Sequence, residues 1–507
     1  MLLLSLFFYF QLFFFAGLAL ALINFSIVFP FLMRLLGKGC RLIRKGLSKS
    51  NSSLTEPAKE NPFVFRFETT DDKWVSVQNP FRGTLVVGGA GSGKTETYAN
   101  AIIRQAVDKN YCGIVYDFKY PALTNELQAA IEAAKINTVK KNEVKFFTIN
   151  FEDLKNSNRV NPLHPRYIKS ISHAEEYATA IVNNLIPESI QRTDFWVRSS
   201  IALLQAAIWY FREERSENCD LPHIVRFLQS DPKEFLELMR QHPICQNLIS
   251  SILTAYDRKA DNQLAGTIGT LQLALNKICA PEISYVLSGN DFDLNLNNPE
   301  APAFLALGNT PGLMDTFSPV LSLITTVALK MMNEEGKQHS LVLLDEAPTL
   351  YIPKLETLPA TGRSRKIAVV FMCQDISQIN DKYGNTKKET IISNLANQFY
   401  GRVSNLQTAE YISKLVGRKD VRMENFGISS TTSHSYGRRN SGTASTNESL
   451  SHGYNWQERP VLKPQAIFGF KQGQFASLIA EREDHLSPVF VANYKRIPPF
   501  KKQSTVL

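Results

Sequence analysis

Cysteine is scarce in this sequence and is never paired at short spacing. The 507 residues contain six cysteines and no Cys-x-x-Cys motif, which excludes a disulfide-dense secreted scaffold and gives no support to a zinc site or a dithiol redox centre. Charge is also modest, since charged residues make up 20% of the chain and the net charge is +9. With 44% hydrophobic residues, the chain is too apolar to be intrinsically disordered, and its length allows about two to four domains.

Charged side chains are missing altogether from residues 1–33. A bilayer span needs about 20 apolar residues, so this segment is long enough to cross a membrane, with the excess tilted, kinked at Pro30 or lying in the interface. The basic region that opens a cleaved signal peptide is also missing, which favours a retained transmembrane anchor.

Residues 34–60 follow this apolar segment and begin with six basic side chains. By the positive-inside rule such a cluster stays in the cytoplasm, so the N-terminus is predicted to lie outside and residues 34–507 inside. The cluster can also contact anionic lipid headgroups, and residues 34–60 are therefore interpreted as a basic juxtamembrane linker. The six basic residues are Arg34, Lys38, Arg41, Arg44, Lys45 and Lys49.

A complete phosphate-binding motif follows a short apolar strand. The predicted strand at 84–87 leads into GGAGSGKT at 88–95, which fits G-x-x-x-x-G-K-[ST]. Its glycines let backbone N–H groups wrap β-phosphate oxygens, Lys94 supplies a cation to the β- and γ-phosphates, and the Thr95 hydroxyl is expected to bind Mg²⁺. The sequence therefore predicts ATP and Mg²⁺ binding. The loop residues predicted to hold the nucleotide are Gly88, Gly89, Ala90, Gly91, Ser92, Gly93, Lys94 and Thr95.

Acidic residues after a second apolar strand predict the other half of this site. The run at 341–344 is followed by Asp345, which is expected to bind the nucleotide's Mg²⁺ through water, and by Glu346, which is placed to polarise the attacking water. A third apolar strand at 368–373 ends in Gln374, a candidate sensor of the γ-phosphate or simply a polar residue that ends a strand. The pattern favours hydrolysis over binding alone.

Alternation of apolar strands with helical segments predicts an α/β fold with a doubly wound, mostly parallel sheet. Residues 61–165 and 298–507 are assigned to this nucleotide-binding domain, and 166–297 to an inserted all-α domain, because apolar residues there recur at helical spacing. Phe195 and Trp196 in the insertion are expected to lie in its core. The Ser- and Thr-rich stretch at 428–455 is expected to be a mobile surface loop.

The motifs and their order resemble the coupling proteins of conjugation and type IV secretion, the TraG/TraD-like branch of the RecA-like motor ATPases. The resemblance extends over nearly the whole chain. Besides the phosphate loop and LLDEAP, the matching segments are YDFKYP at 116–121, RVNPL at 159–163, DFW at 194–196, GRSRKIAVVFMCQDISQINDKYG from 362, LVGRKDV at 415–421 and the closing RPVLKPQAIFGFKQGQFASLI.

This resemblance implies a homo-hexameric ATPase in the bacterial inner membrane. Such a protein receives a relaxase bound to single-stranded DNA, the relaxosome, and delivers the complex to a type IV secretion channel. The insertion 166–297 is then expected to face the cytoplasm and to take part in substrate recognition. Family members usually carry two membrane helices, whereas the apolar segment here suffices for one, so the other helix is either missing or supplied by another protein.

The resemblance also implies an arginine that reaches the nucleotide of a neighbouring subunit. Arg363 precedes the strand that ends at Gln374, where the family tends to keep such a residue, and Arg365 is the alternative. As an arginine finger it stabilises the charge of the transition state. The competing interpretation is a solvated basic loop.

Two other functions fit parts of the pattern. One is a different membrane DNA translocase or secretion ATPase, and the other is a docking receptor that uses nucleotide only to stabilise a ring. The second lacks a use for Glu346, and stimulation of ATP turnover by single-stranded DNA distinguishes it from a motor.

Overall fold

The computed structural model describes residues 61–137, 143–192, 194–436, 442–481 and 489–500. The predicted membrane anchor, residues 1–33, and the predicted linker, residues 34–60, lie outside the described residues. The described residues from Phe63 onward belong to one compact unit.

The described strands form one large sheet and two small ones. In chain order they are β1 (Phe65–Glu68), β2 (Trp74–Val77), β3 (Thr84–Val87), β4 (Cys112–Asp117), β5 (Lys145–Ile149), β6 (Ala303–Gly308), β7 (Ser340–Leu344), β8 (Ile367–Cys373), β9 (Asn397–Tyr400), β10 (Arg418–Tyr436), β11 (Gly442–Pro460), β12 (Gln474–Leu478) and β13 (Val489–Asn493).

The large sheet has nine strands in the order β13-β12-β9-β3-β8-β7-β4-β6-β5. Its neighbours from β9 to β5 are parallel, and β12 is antiparallel to both β9 and β13. The fold is therefore α/β with a mostly parallel central sheet, as predicted. The strands β3, β7 and β8 are buried along their whole length, which explains why they read as unbroken apolar runs.

Helices cover both faces of this sheet. They are α1 (Asn100–Asp108), α2 (Ala122–Asn137), α3 (Ile171–Leu185), α4 (Phe195–Glu214), α5 (Leu221–Leu228), α6 (Pro232–Arg240), α7 (Pro243–Leu248), α8 (Ser250–Asp257), α9 (Asp261–Leu275), α10 (Pro281–Leu287), α11 (Met314–Met332), α12 (Leu358–Ser364), α13 (Ile376–Tyr383), α14 (Asn385–Asn394), α15 (Leu406–Val416) and α16 (Pro464–Phe468).

Two hydrophobic cores separate the layers. Along β3, Leu85 and Val87 belong to one core and Val86 to the other, as the alternation of side chains in a strand requires. The core of Val86 also takes in α1, α2 and β1. The core of Leu85 and Val87 takes in α11 and the helices that lie between β5 and β6.

The chain between β5 and β6 folds into eight helices, α3 to α10, in the part that the structure describes. α3 packs against both α4 and α11, so the insertion shares a continuous core with one face of the sheet. The segment Pro311–Met332, which includes α11, is long and apolar enough to span a membrane, but 72% of its apolar window is buried inside the protein. Because it is packed inside the protein, this segment is a core helix of the folded unit.

Phe195 and Trp196 do not lie in the core of the insertion, and the prediction that they do was wrong. They are 47% and 38% exposed because they form the first turn of α4, where Asp194 caps the helix by accepting a hydrogen bond from the Val197 amide. Trp196 instead lies against α9, since a Cβ added at Gly266 would come within 2.8 Å of its ring. Helical spacing identifies a buried face but not which turn of the helix reaches the core.

The predicted mobile loop at 428–455 is also corrected. Its described residues belong to β10 and β11, which pair with each other along their whole length from Arg418↔Pro460 to Tyr436↔Gly442. We call this two-stranded sheet the ribbon. The prediction relied on Ser, Thr and Gly content and overlooked the period-two alternation that marks a strand.

Candidate nucleotide-binding site

Seven parallel strands end at the edge of the sheet that carries the phosphate loop, residues 88–95. The residues that follow four of them, β3, β4, β7 and β8, meet at one pocket because the carboxyl ends of parallel strands share an edge. The pocket is lined by Gly89, Ala90, Gly91, Ser92, Gly93, Lys94, Thr95, Glu96, Lys119, Asp345, Glu346, Gln374 and Gln472. The predicted residues of the loop, the acidic pair and Gln374 are thus brought together.

Glycine is required at two positions of the phosphate loop. Gly91 and Gly93 have φ angles of 71° and 95°, which L side chains rarely adopt. A Cβ at Gly93 would also lie 3.0 Å from the backbone nitrogen of Gly473. The chain then enters a helical turn at Thr95–Ala99 and continues into α1, so the amino end of this helix faces the pocket.

Two segments far along the chain hold the phosphate loop from outside. The Gly89 amide donates to the Arg402 carbonyl at 2.7 Å, and an Arg402 guanidinium nitrogen donates to the Ala90 carbonyl at 3.1 Å. The Gly473 amide donates to the Ser92 carbonyl at 2.9 Å. The loop is therefore fixed by the chain after β9 and the chain before β12.

Lys94 and Glu346 face each other inside the pocket. The Lys94 Nζ lies 3.6 Å from the Glu346 Oε1, and both side chains are buried. Nζ also donates a hydrogen bond to the Gly88 carbonyl, which places Gly88 behind the loop. Glu346 adopts a left-handed conformation with φ 50°, which is uncommon for a residue with a side chain and is typical of functional sites.

Asp345 is buried next to this pair. Burial and, to a lesser extent, the nearby charge of Glu346 raise the pKa of its carboxyl group to about 7, with Lys94 partly offsetting the shift. Its backbone amide donates to the Tyr116 carbonyl of β4 at 3.2 Å. A carboxyl group with this pKa requires a cation to remain fully ionised at neutral pH.

Hydrogen bonds connect Glu346 to the ends of the neighbouring strands. The Thr349 hydroxyl donates to the Glu346 carbonyl at 2.7 Å and lies 2.7 Å from the Tyr116 hydroxyl. Asn309, which follows β6, donates to that hydroxyl at 2.8 Å. The left-handed turn is thus supported from two other strands.

The remaining polar groups of the pocket are less constrained. Gln374 is half-buried, and its backbone amide donates to the Gln378 side chain at 3.1 Å. Thr95 lines the pocket beside Lys94. The Ser92 hydroxyl is buried without a hydrogen-bond partner in the described residues, so it is available to an oxygen-rich ligand.

The arginines predicted to act in trans lie away from this pocket. Both precede β8, whereas the pocket lies where β8 ends, a distance of about 20 Å for a strand of seven residues. Arg365 pairs with Glu335 at 2.8 Å. The Arg363 side chain is exposed and has no hydrogen bond or ion pair with any described residue, whereas its backbone carbonyl accepts from the Lys366 amide at 3.2 Å.

Arg402, Lys119 and Gln472 were not predicted as site residues. Lys119 and Gln472 lie in segments that carried the family resemblance, YDFKYP and FGFKQGQ, but neither segment had been assigned a role. Arg402 follows β9, whose four residues NQFY show no apolar run and were not predicted as a strand. Only the spatial order of the strands brings these three residues to the loop.

The chain matches one protein family over most of its length. Residues 45–482 match the family model described as Type IV secretory system Conjugative DNA transfer. No protein with a curated description matches the sequence.

Solved structures of TrwB share this fold. The unbound form of TrwBdeltaN70, a bacterial conjugative coupling protein, superposes with a TM-score of 0.62 at 14% identity and covers 85% of this chain and 88% of its own. TrwB with the ATP analogue ADPNP gives 0.60 at 14% identity, with coverages of 84% and 87%. TrwB with ADP and Mg²⁺ gives 0.61 at 15% identity, again with coverages of 84% and 87%.

Proposed function

The chain belongs to the conjugative DNA transfer family of type IV secretory systems, and from this membership we propose that it is a RecA-like, membrane-anchored motor ATPase. It receives a relaxase bound to single-stranded DNA and delivers the complex to the secretion channel, as a homo-hexamer in the bacterial inner membrane. The observation that carries the motor role is the buried pair of Lys94 and Glu346, 3.6 Å apart. A site for binding alone has no use for a buried carboxylate in a strained turn.

Each residue of the pocket has a role in this mechanism. Lys94 and the loop amides bind the phosphates, and Glu346 orients and polarises the attacking water. Thr95 and Asp345 are the residues that would hold Mg²⁺, and the raised pKa of Asp345 fits a carboxyl group that shares its burial with a cation. Mg²⁺, when bound, neutralises charge that develops on the phosphates. The TrwB complexes with ADPNP and with ADP and Mg²⁺ support the same ligands.

ATP turnover of the full chain tests the motor role. We expect turnover to require Mg²⁺, to rise with added single-stranded DNA, and to fall by about 100-fold or more in Glu346→Gln while nucleotide still binds. Glu96→Gln is the matched control, because Glu96 also lines the pocket but is paired with Arg496 at 3.2 Å. Wild-type turnover in Glu346→Gln would rule out its role as the base.

Arg363 is proposed to complete the pocket of an adjacent subunit. Arg363→Ala and Lys94→Ala should each be inactive alone, but mixed subunits should regain some turnover, because some interfaces then join an intact loop to an intact arginine. Arg365→Ala is the control, since Arg365 is paired with Glu335. No recovery in rings shown to be mixed would contradict the role of Arg363, and inactivity of Arg365→Ala would point to Arg365.

DNA binding and membrane topology are tested separately. A ring that threads a single strand of DNA binds the sugar-phosphate backbone, so the affinity for DNA should fall steeply with salt and should not depend on base sequence.

The anchor at 1–33 places the remaining chain in the cytoplasm. Proteolysis of residues 428–455 in intact spheroplasts would contradict that orientation.

The helical insertion, residues 166–297, is proposed to recognise the transported substrate. Replacing the exposed Phe195 or Trp196 by Ala tests this role without opening the core. Loss of relaxase binding with unchanged ATP turnover is the expected result.

A further inference from the structure

The two faces of the ribbon differ sharply in polarity. Paired residues of β10 and β11 share a face, and the register Phe426↔His452 and Ile428↔Leu450 places the even-numbered residues together. That face carries an apolar row, which we call the ribbon stripe. Its residues and their exposed fractions are Phe426 67%, Ile428 76%, Leu450 80%, Tyr454 49% and Trp456 66%.

The opposite face carries no such row over the same length of the described ribbon. Near the base this face carries two half-buried apolar residues, Val421 and Met423. Its other residues alongside the ribbon stripe are small or polar, namely Asn425, Gly427, Ser429, Ser449, Ser451, Gly453, Asn455 and Gln457. Alternation of this kind is typical of a sheet with one face in water and one face covered. Nothing in the described chain covers the ribbon stripe, because these side chains are exposed.

The side chains of this face are ordered among themselves. The Phe426 and His452 rings lie 4.6 Å apart, and the His452 and Tyr454 rings 4.7 Å apart. The Arg422 guanidinium lies 3.5 Å from the centre of the Tyr454 ring. An isolated two-stranded sheet is at best marginally stable in water. An exposed apolar row on such a sheet therefore indicates that a partner covers the row.

The described charges of this face favour a protein over nucleic acid as that partner. Arg418 and Arg422 are its described basic residues, and Arg418 is already paired with Glu458 at 3.2 Å. Glu424 and Glu448 lie on the same face. Proteins that bind single strands combine stacked aromatics with a positively charged groove, whereas this face carries an excess of acids. The partner is therefore a protein surface.

The position of the ribbon stripe favours a second copy of this chain as the partner that covers it. The ribbon stripe lies in the half of the ribbon nearest its base, and Leu406, Val461 and Phe468, in the segments that flank the ribbon, are exposed as well. The chain on either side of the ribbon holds the phosphate loop through Arg402 and Gly473. The helix α15 joins the two places, because its Thr408 hydroxyl donates to Asp375, next to Gln374 of the pocket, at 3.0 Å, and its 11 residues, about 16 Å, lead to the ribbon base. A subunit that covers the ribbon base is therefore within reach of the nucleotide pocket.

The composition of the nucleotide pocket also favours an adjacent subunit next to the ribbon base. Its described lining includes Lys94 and Lys119 but no arginine, and Arg363 of the same chain lies at the far end of β8. The five residues of the ribbon stripe are also far fewer than the roughly 20 to 30 residues that each partner contributes to a stable interface. It therefore belongs to a larger contact that includes the ribbon base and the pocket.

We propose that the ribbon stripe packs against a second copy of this chain, next to the nucleotide pocket, and so joins neighbouring subunits of the ring. This inference rests on the proposed function for the presence of a ring. With 19 residues in each strand, the ribbon is about 60 Å long. That length is comparable to the diameter of a compact unit of this size, so one ribbon can reach across an adjacent subunit.

Photo-cross-linking in the full chain tests the contact. A photo-reactive residue is placed at Leu450, on the ribbon stripe, or at the adjacent Ser449, on the opposite face, and two differently tagged copies are co-expressed in the membrane. We expect a product that contains both tags from position 450 and little or none from 449. Cross-linking from 450 to another protein or to DNA, no product at all, or equal yields from both positions would overturn the proposal.

Assembly of the purified full chain provides a second measurement. Ile428→Ser with Leu450→Ser should raise the concentration of half-assembly by about tenfold or more, because both apolar side chains lose their cover. Asn425→Ser with Gln457→Ser on the opposite face is the control and should leave it unchanged. Both pairs of side chains are exposed, so neither variant opens the core.

The two proposals fail in different ways. If the wild-type chain cross-links and assembles but does not hydrolyse ATP, the motor function is wrong and the ribbon contact stands. If the wild-type chain hydrolyses ATP and its assembly is unaffected by Ile428→Ser with Leu450→Ser, the ribbon contact is wrong and the motor function stands.

Discussion

The nucleotide pocket and the ribbon are neighbours along the chain but are built in opposite ways. The pocket collects residues from four strand ends, and its Lys94, Asp345 and Glu346 are buried against one another. The ribbon comes from one continuous segment whose side chains are almost all exposed. The residues of one region therefore come together within a single chain, whereas the other has an apolar face that no part of the described chain covers.

Removing Lys94 should produce the largest effect that separates the two regions. Lys94→Ala is expected to abolish ATP hydrolysis, because the phosphates lose their cation and Glu346 loses its buried partner. Circular dichroism should show a folded protein, and ATP turnover is the readout. Lys414→Ala, on the exposed side of α15, is the control. Wild-type turnover in Lys94→Ala would break the comparison, because the buried charge of Lys94 would then contribute nothing to the pocket.

Arg402 should give an intermediate effect. Arg402→Ala removes the hydrogen bond to the Ala90 carbonyl but keeps the one from Gly89 to the Arg402 backbone. A single exposed hydrogen bond contributes about 1 kcal/mol, so we expect nucleotide affinity to fall about fivefold. Titration with a fluorescent ATP analogue measures it. The same substitution at Arg418, which pairs with Glu458 at the ribbon base, should leave affinity unchanged; equal losses would mean that the ribbon base shapes the pocket directly.

The pKa of Lys382 reports on how far water is excluded from a second cavity, which lies on the other side of Glu346. Both residues line that cavity, and burial lowers the pKa of Lys382 to about 8 while Asp315 partly offsets the shift. Because the unfolded chain keeps this proton up to about pH 10.4, this group makes folding more favourable as pH rises from about 8 to 10.4. Lys382→Met should remove that dependence and stabilise the protein at pH 7.5, on the order of 1–2 kcal/mol. Denaturant unfolding of both proteins at pH 7.5 and 10 measures the difference.

Shortening the ribbon should have the smallest effect on the folded unit. In the shortened variant a tight turn replaces residues 421–457. The described residues of this segment make few buried contacts, so the melting temperature at low protein concentration should change by no more than about 2 °C. Differential scanning calorimetry provides the measurement, with Leu85→Ala in the core as the destabilised reference. A large drop would show that the ribbon stabilises its own subunit.

Much of the central sheet could be predicted from the sequence. The strands β3, β4, β6, β7 and β8 are buried on both faces, and a buried parallel strand appears as an apolar run with a polar residue at its end. Those polar residues included Asp345, Glu346 and Gln374, which the structure brings to one pocket. The local pattern sufficed because each of these residues directly follows its own strand.

The parts that were missed depend on pairing between distant segments. The edge strand β13, its neighbour β12 and the short β9 lack a distinct pattern, so Arg402 and Gly473 could not be placed at the loop. The ribbon was missed because Ser and Thr between its apolar residues resemble a flexible linker in composition. Its alternation becomes clear only when Ile428 is paired with Leu450.

The distance along the chain between the phosphate loop and the residues that hold it has a consequence for synthesis. Gly89 and Ser92 are translated early, but their outer hydrogen bonds are made with Arg402 and Gly473, more than 300 residues later. A nascent chain therefore carries the complete GGAGSGKT motif long before the loop can be fixed in its final shape. Full nucleotide binding is gained only when the C-terminal strands have left the ribosome, so a truncated translation product lacks a finished pocket.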